Sequence, residues 1–196
     1  MKGFGEKNQS KREKNQNNHQ KLNIDQLIKK AFELQVKGKK LEAAKLYQYL
    51  IKQGIKDYRV FSNYGAFLNE IGKFKEAELE LKKAISLNPK YANAFYNLGF
   101  ILKDLGRLKE ADTHNQKALE VDPHLTDAYL SLSTMYSGET TLKWRNQLFS
   151  ESLLKNKNKR ELINIFFARS NILHKEGKYQ ESAGNLIKAN NIKLRN

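Results

Sequence analysis

The sequence has no cysteine and only two prolines among its 196 residues. The missing cysteines exclude disulfide bonds, thiolate zinc sites and cysteine nucleophiles, and so little proline suits a chain that is almost entirely helical. No apolar run approaches the roughly 18 residues of a membrane-spanning helix. The polar stretch Met1–Gln20 also lacks the apolar core of a signal peptide. We therefore expect a cytoplasmic protein with no membrane contact.

Histidine is sparse as well, and the four histidines lie far apart. His19, His114, His124 and His174 form neither an H-x-x-x-H nor an H-x-E spacing, so a metal site is not expected. The glycine–lysine pairs lack the G-x-x-x-x-G-K-[ST] frame of a phosphate-binding loop, and no G-x-S-x-G motif or matched Ser-His-Asp set is present. The sequence thus predicts no catalytic residue, no cofactor, no metal and no enzyme.

Positive charge, by contrast, is abundant: 36 Lys plus Arg residues against 21 Asp plus Glu give a net charge of +15. Such a balance can indicate nucleic-acid binding, but only seven of the 36 are arginine, the better reader of phosphates and bases. Lysine, asparagine and isoleucine share A/T-rich codons, so a biased genome accounts for much of the charge. Residues 1–22 are predicted to be a disordered, solvated basic tail, and weak nucleic-acid binding through this tail is an alternative.

From residue 23 onward the sequence repeats with a period of 34. Gly38, Gly72 and Gly106 are 34 residues apart in similar settings, and Pro89 and Pro123 have the same separation. Glycine often ends a helix, because it adopts the left-handed cap conformation with little strain. Proline disfavours helical geometry in the residue before it. Each period therefore predicts a helical hairpin that buries its apolar faces only by stacking on the next hairpin.

The third period shows the predicted hairpin most clearly. Its first helix should turn one apolar face inward and its second helix another. Gly99 is small because the two helices must cross closely there. The expected inward residues are Phe95, Leu98, Leu102 and Leu105 in the first helix, and Leu108, Ala111, Ala118 and Leu119 in the second.

This spacing resembles the tetratricopeptide repeat (TPR), whose signature is W-x2-L-G-x2-Y, then A-x3-F, then P. The third period reads Phe95-x2-Leu98-Gly99-x2-Leu102, then Ala111-x3-Asn115, then Pro123. The resemblance implies an all-α fold, an α-α superhelix (TPR solenoid) of about five helical hairpins over residues 23–196. The expected repeats are approximately 24–56, 58–91, 92–125, a degenerate 126–162, and 163–196. In the degenerate repeat, the apolar residues from Trp144 to Leu154 are expected to form one longer second helix.

The resemblance also implies where partners bind, because the first helix of each hairpin lines a concave groove in this family. Asn63 and Asn97 occupy equivalent groove positions, and a ladder of amides can hold the backbone of an extended peptide. A similar ladder occurs in the repeats of O-linked N-acetylglucosamine transferases; alternatively, asparagine is simply tolerated there in an Asn-rich chain. Tyr96 and Phe100 are expected as apolar anchors. The predicted groove residues are Arg59, Ser62, Asn63, Asn69, Asn93, Tyr96, Asn97, Phe100, Lys103, Asp127 and Ser131.

One TPR subtype does not fit the sequence. Repeats with a carboxylate clamp grip the C-terminal tails of chaperones with lysine and asparagine in the first repeat, asparagine in the second, and lysine and arginine in the third. This chain has Ile28 and Phe32 in the first repeat and Asn93 and Asn97 in the third, so only Asn63 matches. A carboxylate clamp is therefore not expected.

A narrower resemblance concerns the C-terminal half of the chain. Its stretches Leu130–Tyr136, Lys143–Trp144, Leu148–Leu154 and Ile165–Lys175 look like the repeat region that precedes a sulfotransferase domain in some bacterial modular proteins, but the Arg-Ser-Gly triplet of such enzymes is absent. The predicted function is a scaffold that binds a protein or peptide of unknown identity in the concave groove. The alternatives are a docking module of a TPR-sulfotransferase system and the nucleic-acid binding named above. The apolar last helix (Leu186, Ile187, Ile192, Leu194) suggests self-association.

Overall fold

Ten α-helices follow one another through the residues that the computed structural model describes, 24–136 and 143–194. Consecutive helices pair as antiparallel hairpins, most extensively α3 with α4, α5 with α6 and α9 with α10, but α7 packs mainly against α9 rather than against α8. None of these helices is both long and apolar enough to span a bilayer. The helices are α1 (24–36), α2 (Lys40–Lys52), α3 (Tyr58–Glu70), α4 (Phe74–Leu87), α5 (Ala92–Asp104), α6 (Leu108–Val121), α7 (Thr126–Met135), α8 (Lys143–Phe149), α9 (Lys159–Lys175) and α10 (Tyr179–Leu194), with a 3-10 turn at Glu151–Leu154.

Glycine makes the turn inside four hairpins, and in three of them it is the glycine that the period of 34 predicted. Gly38, Gly72, Gly106 and Gly177 have φ angles between +73° and +77°, a region that side chains with a Cβ enter only with strain. At Gly72 the backbone N–H bonds to the carbonyl of Asn69, and the next N–H bonds back to Leu68. These bonds satisfy carbonyls left open at the end of the helix and turn the chain into the second helix.

A second kind of glycine lets the two helices of a hairpin approach closely. A Cβ placed on Gly99 would lie 2.8 Å from the Asn115 Nδ2 atom and 3.1 Å from the Ala111 carbonyl oxygen of α6. Gly65, one period earlier, meets Leu81 of α4 in the same way. The small residue predicted at the helix crossing is confirmed by this geometry.

The stack curves with its first helices on the inside. Consecutive first helices contact one another directly, α3 with α5, α5 with α7 and α7 with α9. No comparable contact joins the second helices α4 and α6, both fully described. Apolar clusters run continuously along the stack, because Ile85 packs against three of them and Tyr64 joins two. The described residues thus form the α-helical solenoid expected from the sequence.

Two predicted core residues are exposed instead. Leu105 is 40% exposed and Leu108 is 50% exposed. Leu105 is the C-cap of α5 and Leu108 is the first residue of α6, so both flank the turn, beyond the region where the two helices cover each other. The other six inward residues predicted in this hairpin are buried.

The longer second helix expected in the degenerate repeat is also wrong. Helix α8 ends at Phe149, Ser150 is extended, and a separate 3-10 turn follows. The cause lies in α9: the buried Arg169 donates from Nε to the Leu148 carbonyl at 2.8 Å and from Nη2 to the Ser150 carbonyl at 2.9 Å. These carbonyls are therefore satisfied by a side chain rather than by a continued helix.

Helix α9 supports the end of α7 in a similar way. Lys175 Nζ donates to the carbonyls of Ser133, Thr134 and Tyr136 at 3.3, 2.9 and 2.7 Å. Helix α7 has 10 residues, against 13 in α3 and α5, and its terminal carbonyls thus have a partner about 40 positions later in the chain. Residues 137–142 between α7 and α8 and the predicted tail 1–22 lie outside the described residues.

The last hairpin leaves one core position open. Tyr47, Leu81 and Asn115 are spaced by one period and are all fully buried. Leu186 stands 71 residues after Asn115, the separation of Gly106 from Gly177, yet it is 41% exposed. Neighbouring Ile187 is 58% exposed. Self-association through this helix stays a prediction.

Candidate functional site

The eleven predicted groove residues lie on three consecutive first helices, α3, α5 and α7, on the inner side of the stack. They differ greatly in how much they expose. Asn93 and Phe100 are exposed, whereas Ser62 and Ser131 are buried. The remaining seven are half-buried. Exposure therefore separates residues that a partner can reach from residues that hold the helices together.

The two serines belong to the interior. Ser62 is 0% exposed and its Oγ accepts a hydrogen bond from Asn97 Nδ2 at 3.4 Å, which links α5 to α3. Ser131 is 5% exposed and its Oγ accepts from Asn115 Nδ2 at 3.1 Å, which links α6 to α7. Neither serine can touch a partner while the helices stay packed.

The two asparagines of the predicted ladder are each partly used within the fold. Asn97 donates to Ser62, as described, and Asn63 lies beside the hydroxyl of the buried Tyr47, which donates to Gln35 Oε1 at 3.2 Å. Burial raises the pKa of Tyr47 to about 12, and the neighbouring Asn63 amide opposes that rise only in part. An amide has two donors and two acceptor sites, so both side chains keep capacity for a second partner.

Charged and amide side chains occupy equivalent positions near the start of the first helix in each repeat, and we call this set the charged ladder. Asp25, Arg59, Asn93 and Asp127 are spaced by one period, and Asn164 follows 71 residues after Asn93. Arg59 pairs with Asp25 of the preceding repeat and with Asp57. Asp127 accepts hydrogen bonds from Asn164 and Arg160, both at 3.1 Å. The sequence prediction missed Asp25, Asn164 and Arg160, although the period of 34 pointed to Asp25, and to Asn164 once three extra residues after Asp127 are counted.

Asp57 gives this ladder a pH-dependent contribution to stability. It is the N-cap of α3, accepting from the Arg59 backbone N–H at 2.8 Å and from its guanidinium. Burial acts to raise the pKa of Asp57, but the hydrogen bonds from Arg59 outweigh burial and hold it below its ordinary value. The stabilisation is therefore complete above the unfolded pKa of about 4 and is lost as the pH falls through the lower folded pKa.

We expect Asp57→Asn to lower the free energy of unfolding by about 1 kcal/mol at pH 7, because asparagine keeps the cap but not the charge. The difference from the unaltered chain should shrink as the pH falls below about 4. Urea unfolding followed by helical circular dichroism at several pH values measures it. A difference that stayed constant down to about pH 2.5 would contradict the assignment.

The reachable part of the groove is an aromatic strip on α5. The Tyr96 and Phe100 rings are 6.4 Å apart, and Lys103 Nζ lies 5.3 Å from the Phe100 ring centroid. Burial raises the pKa of Tyr96 to about 12, and the negative charge of Asp127 adds to that rise. The tyrosine thus stays neutral, with an apolar ring available for contact. Asn93 stands one turn before this strip.

One further aromatic residue belongs to the same inner surface. Phe32 of α1 precedes Phe100 by two periods and is 53% exposed. The sequence prediction left it out of the groove, although the same period identifies it. We call Phe32, Asn93, Tyr96, Phe100 and Lys103 the inner strip.

No group of three or more His, Asp or Glu side chains within residues 24–136 and 143–194 is placed to hold a metal ion. The inner strip offers aromatic faces, an amide and an ammonium group. Such a surface can bind a chain segment by apolar contact and hydrogen bonding.

The fold and this inner surface define a solenoid of helical hairpins. Comparison with known families identifies the type of repeat. Residues 67–106 match a family model described as TPR repeat, and residues 92–125 match one described as tetratricopeptide repeat. Tetratricopeptide repeats are thus recognised in the middle of the chain, and its fold is the TPR solenoid. A search of curated proteins finds no match.

Solved structures of TPR proteins resemble the whole stack or its parts. PilF of Pseudomonas aeruginosa has a TM-score of 0.64 at 18% identity, covering 87% of this chain and 76% of its own. The first TPR of Spaghetti (RPAP3), bound to an HSP90 peptide, has a TM-score of 0.52 at 25% identity, covering 56% and 86%. The second TPR domain of human RPAP3, in complex with an HSP70 peptide, has a TM-score of 0.50 at 26% identity, covering 55% and 89%.

Proposed function

We propose that this protein is a non-enzymatic scaffold whose inner strip binds an extended peptide segment of a partner protein. The observation that carries the proposal is the exposure of Phe100 beside Tyr96 and Lys103, on the inner side of the stack. Packing between repeats does not need an exposed phenylalanine there, because Ala66 and Thr134 stand at the same position one period before and after. The peptides held by the RPAP3 domains support this class of ligand.

The mode of binding we propose differs from a carboxylate clamp. Ile28 is 4% exposed and Phe32 is uncharged, so the first repeat offers no cation at the clamp positions. Asn93 and Asn97 likewise bring no charge in the third repeat. We therefore expect recognition of internal apolar side chains, with the amides bonding the peptide backbone. Of the predicted groove residues, Ser62 and Ser131 would act indirectly, by fixing the helices.

We expect Phe100→Ser to reduce capture of bound partners at least fivefold, because it removes an exposed apolar anchor without opening the core. The full chain, immobilised and exposed to cell extract, would be compared with the variant by quantitative mass spectrometry. Leu108→Ser is the matched control, since Leu108 is 50% exposed but lies on the second helix α6. Equal loss of the same partners from both variants would contradict binding at the inner strip.

The two alternative functions have no specific support in the described residues. The sulfotransferase connection rests on the sequence resemblance of the C-terminal half alone. Nucleic-acid binding was assigned to residues 1–22, which lie outside the described residues. Both stay predictions from the sequence.

A further inference from the structure

A second surface, separate from the inner strip, has the features of a ligand site. It is an open cleft of about 490 Å³ beside helix α4, which we call the α4 cleft. It shares no residue with the predicted groove. Its lining residues are Lys56, Phe61, Leu79, Lys82, Lys83, Ser86 and Leu87.

The floor of the α4 cleft is apolar, and the repeat does not require it. Leu79 is 54% exposed and Leu87 is 41% exposed. One period before and after Leu79 the chain has Lys45 and Thr113, both exposed polar residues. Packing of the repeats therefore does not require leucine at this position. The exposed surface of Leu79 is available to a partner.

The rim of the α4 cleft is positive. Lys82 and Lys83 pair with carboxylates of their own helix, Glu78 at 2.7 Å and Glu80 at 2.9 Å, but their side chains remain 60% and 45% exposed. Lys83 Nζ also lies 5.7 Å from the Phe61 ring centroid, directly over the cleft floor. Lys56 also lines the cleft and is exposed. Three lysines thus line the cleft together with its apolar residues, and Lys56 adds a positive charge to the two lysines that are paired with glutamates.

We propose that the α4 cleft binds an acidic peptide segment with a central pair of leucines flanked by aspartate and glutamate. The two apolar side chains would cover Leu79 and Leu87, and the flanking carboxylates would meet Lys56, Lys82 and Lys83. A membrane surface fits less well, because attachment to a membrane uses the long apolar face of an interfacial helix, whereas the exposed leucines of the cleft are two, Leu79 and Leu87. This proposal is independent of the inner strip.

The test is a fluorescence anisotropy titration of the full chain with a fluorescein-labelled peptide of sequence Asp-Glu-Leu-Leu-Glu-Asp. We expect saturable binding that Leu79→Thr, the residue at the next repeat, weakens about tenfold. Lys83→Gln should weaken binding and reduce its dependence on salt. Leu108→Thr, a change of an equally exposed leucine outside the cleft, should alter the affinity less than twofold. Melting curves would verify that each variant is folded.

Several outcomes would overturn the α4 cleft proposal. Weakening by Leu79→Thr of less than about threefold, or a larger effect of Phe100→Ser, would mean that the peptide binds elsewhere. Equal binding of a peptide with both leucines replaced by serine would mean attraction to the general positive charge only. A peptide titration that does not saturate by about 1 mM would also overturn the proposal. If the chain then bound vesicles that contain phosphatidylserine, the cleft would be assigned to a membrane surface instead.

Discussion

Gly99→Val is expected to lower the free energy of unfolding by about 3 kcal/mol, as overpacking of a tight crossing does. A Cβ at this position would come within 2.8 Å and 2.9 Å of the Asn115 Nδ2 and Cγ atoms, and the Ala111 backbone lies behind them at 3.1 Å. Asn115 cannot move without cost, because its Nδ2 donates to both the Ala111 carbonyl and Ser131 Oγ. The clash would therefore also break a buried bond between hairpins.

Gly184→Val is the matched control, because Gly184 also lies inside a helix but has nothing within 4 Å of an added Cβ. Glycine and valine differ in helix propensity by about 0.4 kcal/mol, so we expect almost no change in stability. Urea unfolding followed by circular dichroism measures both variants. Similar effects of the two substitutions would show that backbone propensity, rather than the crossing of α5 and α6, determines the result.

Arg169→Met is expected to cost about 3 kcal/mol, the worth of two charge-assisted hydrogen bonds inside the protein. The arginine is 6% exposed and bonds the carbonyls of Leu148 and Ser150. Its guanidinium carbon also lies 5.6 Å from the Phe149 ring and 5.9 Å from the Phe166 ring. Burial lowers the pKa of Arg169, but an arginine stays protonated at ordinary pH. Methionine fills similar space and leaves both carbonyls without a donor.

Arg160→Met on the same helix is the control for Arg169→Met. The Arg160 side chain is 80% exposed and its pairing with Asp127 is open to water, so its loss should cost less than about 0.5 kcal/mol. The same unfolding measurement compares the two. If Arg169→Met were no more costly than Arg160→Met, Arg169 would not be what ends α8.

The sequence could predict the hairpins because their causes are local and recur. The glycines at positive φ, the prolines after the second helices and the small residue at each crossing all act within one repeat. The period also contained information that the prediction did not use, since it placed Asp25 in register with Arg59 and Phe32 in register with Phe100. The aromatic part of the inner strip was predictable for the same reason.

The predictions that the structure did not follow depend on contacts between distant residues or on positions at the ends of helices. Helix α8 ends where it does because Arg169, about 20 residues later, bonds its last carbonyls, and no local pattern signals this. Ser62 and Ser131 were assigned to the groove by their position in the repeat, but their burial depends on Asn97 and Asn115 from neighbouring helices. Leu105 and Leu108 have the right spacing for the core but flank a turn.

The Lys175 contacts with the end of α7 affect how the chain unfolds. In an ideal repeat array each unit satisfies its own helix ends and meets its nearest neighbours only through their interface, and end units fray first. Here α7 depends on α9 for its terminal carbonyls, and α8 depends on α9 through Arg169. Helices α7, α8 and α9 should therefore open together as one cooperative segment, whereas the first three hairpins can open stepwise. Amide hydrogen exchange would then give α7, α8 and α9 a common opening free energy.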